Sequence, residues 1–221
     1  MLIHNLSEKN SLLNNFMAEI RSSDVQTDRM RFRKNMERIG EIFAYEVSRE
    51  LHYKTKEITT SLGSKDLNIM SDDIVLASIL RAGLPFHLGL IKFFDKADNA
   101  FVGSYRKYHK DNTFEIKSGY LSAPPVDDKF LILADPMLAS GASMVLAYKD
   151  ICNDQRPLHT HIISIIAAQD GIDYLKLHLA EENITLWVGD IDDELTAKGY
   201  IVPGLGDAGD LAFGEKEQGE L

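Results

Sequence analysis

A chain of 221 residues that is 44% hydrophobic can close one sizeable core, so no second domain is required. Its 24 basic and 34 acidic residues leave a formal charge of −10, which opposes non-specific attraction to a nucleic-acid backbone or an anionic membrane. Cys152 is the only cysteine, which excludes intramolecular disulfides, and no apolar run approaches the roughly 20 residues of a membrane span. The opening MLIHNLSEKN lacks the basic and apolar regions of a signal peptide, so a cytoplasmic setting is expected.

Taken in chain order, Ser7 to Ile20 places Leu12, Leu13, Phe16 and Ile20 on one helical face behind a Ser7 cap. From Thr27 to Leu51, Phe32, Met36, Ile39, Phe43, Val47 and Leu51 recur at helical spacing, which predicts an amphipathic helix. Residues 1–52 thus form an N-terminal helical region. From residue 74 short apolar runs alternate with helical stretches. Ile74 to Leu80, Phe130 to Ala134, Ile162 to Ala168 and Ile184 to Val188 have the length and branched composition of buried strands. Leu84 to Phe94, Ser143 to Cys152 and Gly171 to Leu179 read as the helices between them.

Residues 101–121, with Phe101 to Tyr105 and Thr113 to Leu121 around a polar turn at Lys107 to Asn112, read as an exposed hairpin. The segment 199–214 is glycine-rich, and the tail beyond it is expected to fray. Alternating strands and helices predict an α/β domain over 1–221 whose parallel sheet is covered on both faces. Ligands bind such sheets beyond the carboxyl ends of the strands, which directs attention to the residues after 80 and 134.

After residue 130 comes FLILADPMLASGAS, an apolar strand running into an acid, a small-residue loop and a helix. Backbone N–H groups converging in such a loop, with the helix's positive end behind them, suit a phosphate; an ordinary strand-to-helix turn has the same spacing. No Gly-Lys-Ser/Thr follows, so this is not a Walker loop and nucleoside-triphosphate hydrolysis is disfavoured. SILRAGLPF, from residue 78, ends a strand in Arg81 beside small residues, where a guanidinium can fork onto a diphosphate or simply face solvent. GYIVPGLGDAGDLAFG, from residue 199, offers closely spaced main-chain donors and acceptors for a flat base, or a loop capping the sheet.

These three motifs, in this order, resemble those of uracil phosphoribosyltransferases over about residues 27 to 214. The resemblance implies the phosphoribosyltransferase fold: a twisted parallel sheet flanked by helices, with a small hood and a flexible β-hairpin. It implies transfer of a 5-phosphoribosyl group from phosphoribosyl pyrophosphate to uracil, giving uridine monophosphate and pyrophosphate. By position, the donor would meet Arg81, Arg106, Asp135, Pro136, Met137, Leu138, Ala139, Ser140, Gly141, Ala142, Ser143 and Asp207. Uracil would meet Ile201, Gly206, Asp207 and Ala208, with Asp207, Arg81 and Asp135 the catalytic candidates. Asp207 would steer or accept the uracil proton. Magnesium is expected on the donor's diphosphate without direct protein ligation. A homodimer or larger homo-oligomer is expected, with activation by GTP as in some members, and no nucleic-acid or membrane partner.

The chain departs from the family pattern at several positions. Ser140 stands where Thr is usual, Ala142 where Gly is usual, Ser78 where Pro is common, and Leu211-Ala212 where Arg-Leu is usual. At GSYRKYHKD, residues 103–111, Lys107, Tyr108, His109 and Lys110 replace the usual acidic successors of Arg106. Ala142 keeps the loop amide but would strain a positive φ. Two rival readings remain: a binding module without catalysis, suggested by Ala142, Leu211 and the altered residues after Arg106, and an RNA-binding regulator on the same fold. The second is opposed by the net charge and the lack of a Lys/Arg cluster. Three further groups read as structural. His159 and His161 are expected exposed at a strand entrance, Asp190, Asp192 and Asp193 as a solvated acidic loop, and Trp187 as core.

Overall fold

The computed structural model describes residues 1–108 and 114–215, with side chains described outside 104–118. The chain opens with strand β1 (Leu2–Asn5) and helices α1 (Leu12–Arg21) and α2 (Arg29–Ser48). Strands β2 (Tyr53–Thr60) and β3 (Gly63–Met70) then form a separate antiparallel pair. The main sheet follows with β4 (Ile74–Leu80), α3 (Gly83–Ile91), β5 (Asp98–Tyr108), β6 (Phe114–Ser122) and β7 (Phe130–Ala134). After these come β8 (Met137–Leu138), α4 (Ala142–Cys152), β9 (His159–Ala168), α5 (Gln169–His178) and β10 (Ile184–Asp192). Short elements close the described chain: β11 (Glu194–Leu195), β12 (Ile201–Val202) and α6 (Ala208–Phe213).

The sheet runs β1-β10-β9-β7-β4-β5-β6, parallel throughout except for the β5–β6 hairpin, with β8 added beside β9. Alternate residues of each central strand feed two apolar layers, as period-two side chains must. Leu76, Phe130, Ile132, Ile163 and Trp187 join α1, α2 and α3 on one face. Val75, Ala77, Leu131, Leu133 and Leu186 join α4 and α5 on the other. The expected doubly covered parallel sheet is thus present, and Trp187 is core. Helices α2 and α3 cross where Gly40 and Gly89 face each other, and a Cβ on either would strike the partner's backbone carbonyl. That contact seats α3, whose cap residue Ala82 follows Arg81 directly.

Four expectations need correction. Helix α1 starts at Leu12 rather than Ser7, because the Ser11 hydroxyl accepts the Leu13 N–H at 3.2 Å and the Ser11 N–H donates in return to Asn14 Oδ1 at 2.9 Å. Ser7 lies in a short 3-10 turn and donates to Asp190 at 3.0 Å. The β2–β3 pair was not anticipated: apart from half-buried Ile58 and Met70 its residues are exposed, and β2 carries no apolar alternation. His161 is 1% exposed, because β9 is an interior strand covered on both sides. Asp192 is also buried, at the end of β10, whereas Asp193 is exposed as expected.

Candidate active site

Strand β7 delivers Asp135 to the carboxyl edge of the sheet. The Asp135 N–H donates to Ile163 O at 3.2 Å, and Ile166 N–H to Pro136 O at 3.0 Å, so the chain runs on beside β9. Met137 and Leu138 continue that pairing as β8, with Pro136 and Leu138 buried. Ala139 then brings the chain outward to an exposed Ser140. Gly141 follows at φ 80° as the cap residue of α4, which begins at Ala142 and Ser143. The positive φ therefore falls on Gly141 and not on Ala142, so the Gly-to-Ala departure fits the loop. A Cβ on Gly141 would lie 2.9 Å from Gly171 O and 3.1 Å from Tyr174, so that position is restricted twice over.

Asp135 is half-buried, and its carboxyl group accepts from the Met137 N–H at 3.4 Å. Burial pushes its pKa up to about 7, against the opposing pull of that N–H. It is thus a carboxyl group that changes charge near neutrality.

Arg81 follows β4 next door. Ser78 of β4 pairs with Ala134 of β7, so the two strands end side by side and Arg81 emerges beside the Asp135 loop. Its side chain is exposed, and Nη2 donates to Asp210 Oδ1 at 3.0 Å and Gly214 O at 3.4 Å. Beneath it Ser78 is fully buried with an unpartnered hydroxyl among the described residues, closed over by Gly83.

The third motif returns to the same edge. Ile201 and Val202 pair with Glu194 and Leu195, and Ile201, Leu205, Ala208 and Ala212 sink into the helical layer of α1 and α2. Gly204 and Gly206 adopt φ 56° and 93°. Asp207 caps α6, its Oδ1 accepting the Asp210 N–H at 3.0 Å. A brace that sequence reasoning missed holds this turn. Arg21 Nη1 donates to Asp192 Oδ2 at 2.8 Å and to Gly204 O at 3.0 Å, and Nη2 donates to Asp190 Oδ2 at 2.9 Å. The Gly204 N–H in turn donates to Asp192 Oδ2 at 2.9 Å. Acids two apart at the end of an apolar strand were the available signal, since that spacing turns both to one side.

Arg81 and the segment from Asp207 to Gly214 are therefore in contact, and Asp135 ends the adjacent strand. The backbone of Arg106 lies in β5 opposite Ile116, but its side chain and those of Lys107 and Tyr108 lie outside the described residues, as do His109 and Lys110 entirely. Among the described residues, no three His, Cys, Asp or Glu side chains are grouped to hold a metal ion, and no helix is long and apolar enough to cross a membrane.

The family profile described as uracil phosphoribosyltransferase matches residues 7–215. A uracil phosphoribosyltransferase of Porphyromonas gingivalis is 48% identical over 216 residues, covering 98% of this chain and 100% of its own. One from Pyrococcus furiosus is 35% identical over 202 residues, covering 90% of this chain and 84% of its own. Among solved structures, the AQ2163 protein from Aquifex aeolicus superposes with a TM-score of 0.85 at 29% identity, covering 96% of this chain and 98% of that one. With near-complete coverage in both directions and the motif-bearing loops gathered at one sheet edge, this chain belongs to the uracil phosphoribosyltransferase family.

Proposed function

We propose that this chain transfers the 5-phosphoribosyl group of phosphoribosyl pyrophosphate to uracil, releasing uridine monophosphate and pyrophosphate. The observation that carries the reading is the convergence of Arg81, the Asp135 loop and the Asp207 turn at one carboxyl edge. In this reading the loop from Asp135 to Ser143 takes the ribose 5-phosphate on its backbone N–H groups and the start of α4. Asp135 accepts the ribose hydroxyls, and Arg81 and Arg106 meet the diphosphate. As pyrophosphate leaves, positive charge develops on the ribose, so the protein's work is positioning and electrostatics rather than covalent catalysis. Asp207, at the junction of Arg81 and the base turn, steers or accepts the uracil proton.

Magnesium fits this edge as a companion of the donor. The Asp135 carboxyl group, with only a long backbone contact among the described residues, and Asp207 can hold its water shell. When bound, it neutralises charge on the leaving diphosphate. Family membership also brings into the proposal a homodimer or larger homo-oligomer, activation by GTP and a cytoplasmic setting. The pairing of Arg81 with the base-side turn favours catalysis over an inert binding module, since it links the two substrate regions.

Buried Ile201 and Ala208 leave the backbone of 201 and 206–208 to read the base. An N–H facing uracil O4 and a carbonyl facing its N3–H would both be mismatched by cytosine. Each unpaired buried group costs roughly 1–3 kcal/mol, so cytosine is rejected by about two to four orders of magnitude. Competing uracil, 5-fluorouracil, cytosine and hypoxanthine in one turnover assay tests this. Uracil and its 5-fluoro analogue should be consumed; comparable use of cytosine, or preference for the purine, would refute the reading.

A further inference from the structure

Arg81 is the cation that the proposed function assigns to the diphosphate, yet its guanidinium is already engaged. Nη2 donates to Asp210 Oδ1 at 3.0 Å and to the Gly214 carbonyl at 3.4 Å. A Cβ on Gly209 would lie 3.6 Å from the same Nη2 and 3.2 Å from Asp207 Oδ1, so the guanidinium rests against the first turn of α6. That turn is the one proposed to read the base.

We infer that Asp210 is a positioning residue that competes with the donor: it parks Arg81 on the base-reading turn, and the incoming diphosphate must take the guanidinium from it. The inference rests on the proposed function. A guanidinium presents its N–H donors as a rigid planar fork, and Nη2 spent on a carboxylate and a carbonyl is unavailable for a second, differently placed anion. The competition is mild. The two side chains are 43% and 29% exposed, and an ion pair so placed is weakened by solvent. Mildness suits the role, because a tightly buried pair would withhold Arg81 from the donor. Before the donor arrives, Asp210 keeps the cation neutralised and ordered at the site. Once the diphosphate holds Arg81, the turn from Asp207 to Asp210 is freed to adjust to the base.

The test titrates inorganic pyrophosphate with magnesium, and phosphoribosyl pyrophosphate itself, into the full chain by calorimetry, alongside uracil turnover. The proteins are wild type, Asp210→Asn, Arg81→Ala and the double variant, with Asp210→Ser as a second neutral replacement. Asp210→Asn and Asp210→Ser should each tighten pyrophosphate binding roughly two- to five-fold, the scale of a half-exposed ion pair. Donor KM should fall by the same factor while kcat does not rise, the signature of tighter ground-state binding. In the Arg81→Ala background the tightening should vanish, because the competitor then has nothing to hold. Structural damage would weaken binding, so the direction of the change separates the two roles. Unchanged or weaker binding in both neutral variants, or equal tightening without Arg81, overturns the inference. Failure of the wild type to consume uracil counts instead against the proposed function, since the pyrophosphate titration reads Asp210 directly.

Discussion

The two ends of the parallel sheet are built on opposite terms. At the amino ends of the strands, polar rings are sealed into an aromatic cluster. His4 stacks on Trp187 with centroids 4.1 Å apart, and the Trp187 indole N–H donates to His161 Nδ1 at 3.1 Å. Phe130 lies 6.2 Å from both His159 and His161, and His159 Nε2 meets Thr185 Oγ1 at 3.0 Å. At the carboxyl ends the chain does the reverse: Ser140, Arg81 and Gly206 reach solvent, and Gly141, Gly204 and Gly206 hold left-handed backbone. One end packs its polar rings into the interior, while the other leaves polar groups at the surface. In this fold the buried aromatic cluster and the proposed chemistry are kept a strand's length apart, so substitutions at the two ends should report on different quantities.

The largest expected effect is at the open end. Arg81→Ala should lower kcat/KM by about two to three orders of magnitude, from loss of forked charge-assisted bonds, with the melting midpoint little changed. Lysine should rescue poorly. Steady-state kinetics with both substrates decide it, and wild-type turnover in the variant would break the division between the ends.

Arg21→Ala sharpens the comparison, because its brace serves both stability and site. Removing it leaves buried Asp192 without its cation, at a cost of about 3 kcal/mol in urea unfolding. It also loosens Gly204, so uracil KM should rise more than donor KM. Equal changes in both KM values would detach the brace from the base turn.

Gly141→Ala comes next. Left-handed φ and the closeness of Gly171 O together cost about 2 kcal/mol, and the displaced loop should raise donor KM while sparing uracil KM. A donor KM equal to wild type would show the loop indifferent to its geometry.

The smallest effect belongs to the sealed end and appears as a pH dependence. Trp187 can only donate, so His161 Nδ1 must accept and the ring proton sits on Nε2, which is buried without a partner among the described residues. Burial, aided by His159 and His4, lowers the His161 pKa to about 3. A depressed pKa means the unfolded chain takes up protons first, so stability is full above about 6.5 and is lost as pH falls towards 3. Between pH 7.5 and 5.5 the loss is about 1 kcal/mol. Asp135 shifts the other way: its pKa, raised to about 7, makes its contribution present at low pH and lost as pH rises from about 4 through 7. Urea midpoints for wild type and His161→Gln at the two pH values isolate the histidine. An equal change with pH in both proteins would acquit it.

Much of this architecture was readable from local pattern. Apolar runs such as Phe130 to Ala134 announce buried strands without tertiary information, and the loops around Asp135 and Asp207 betray themselves by their small residues. What stayed hidden depends on partners distant in sequence. Nothing near Arg21 foretells Asp192, and the burial of His161 follows from β9 having neighbours on both sides rather than from its own alternation. The β2–β3 pair escaped notice because exposed strands need no apolar period. The engagement of Arg81 with Asp210 spans 129 residues and is likewise invisible to spacing.

The brace at Gly204 also bears on how the site comes into being. Its hydrogen bonds join residues 171 and 183 positions apart, linking the end of α1 to a turn made long afterwards. During synthesis at about 5–20 residues per second, Arg21 waits roughly ten to forty seconds before Gly204 exists. The phosphate loop, drawn from neighbouring strands, can assemble while the chain is still growing. On the proposed function, the base turn is the last part of the site to be finished, and a nascent chain halted before it would carry the donor loop without the turn that reads the acceptor.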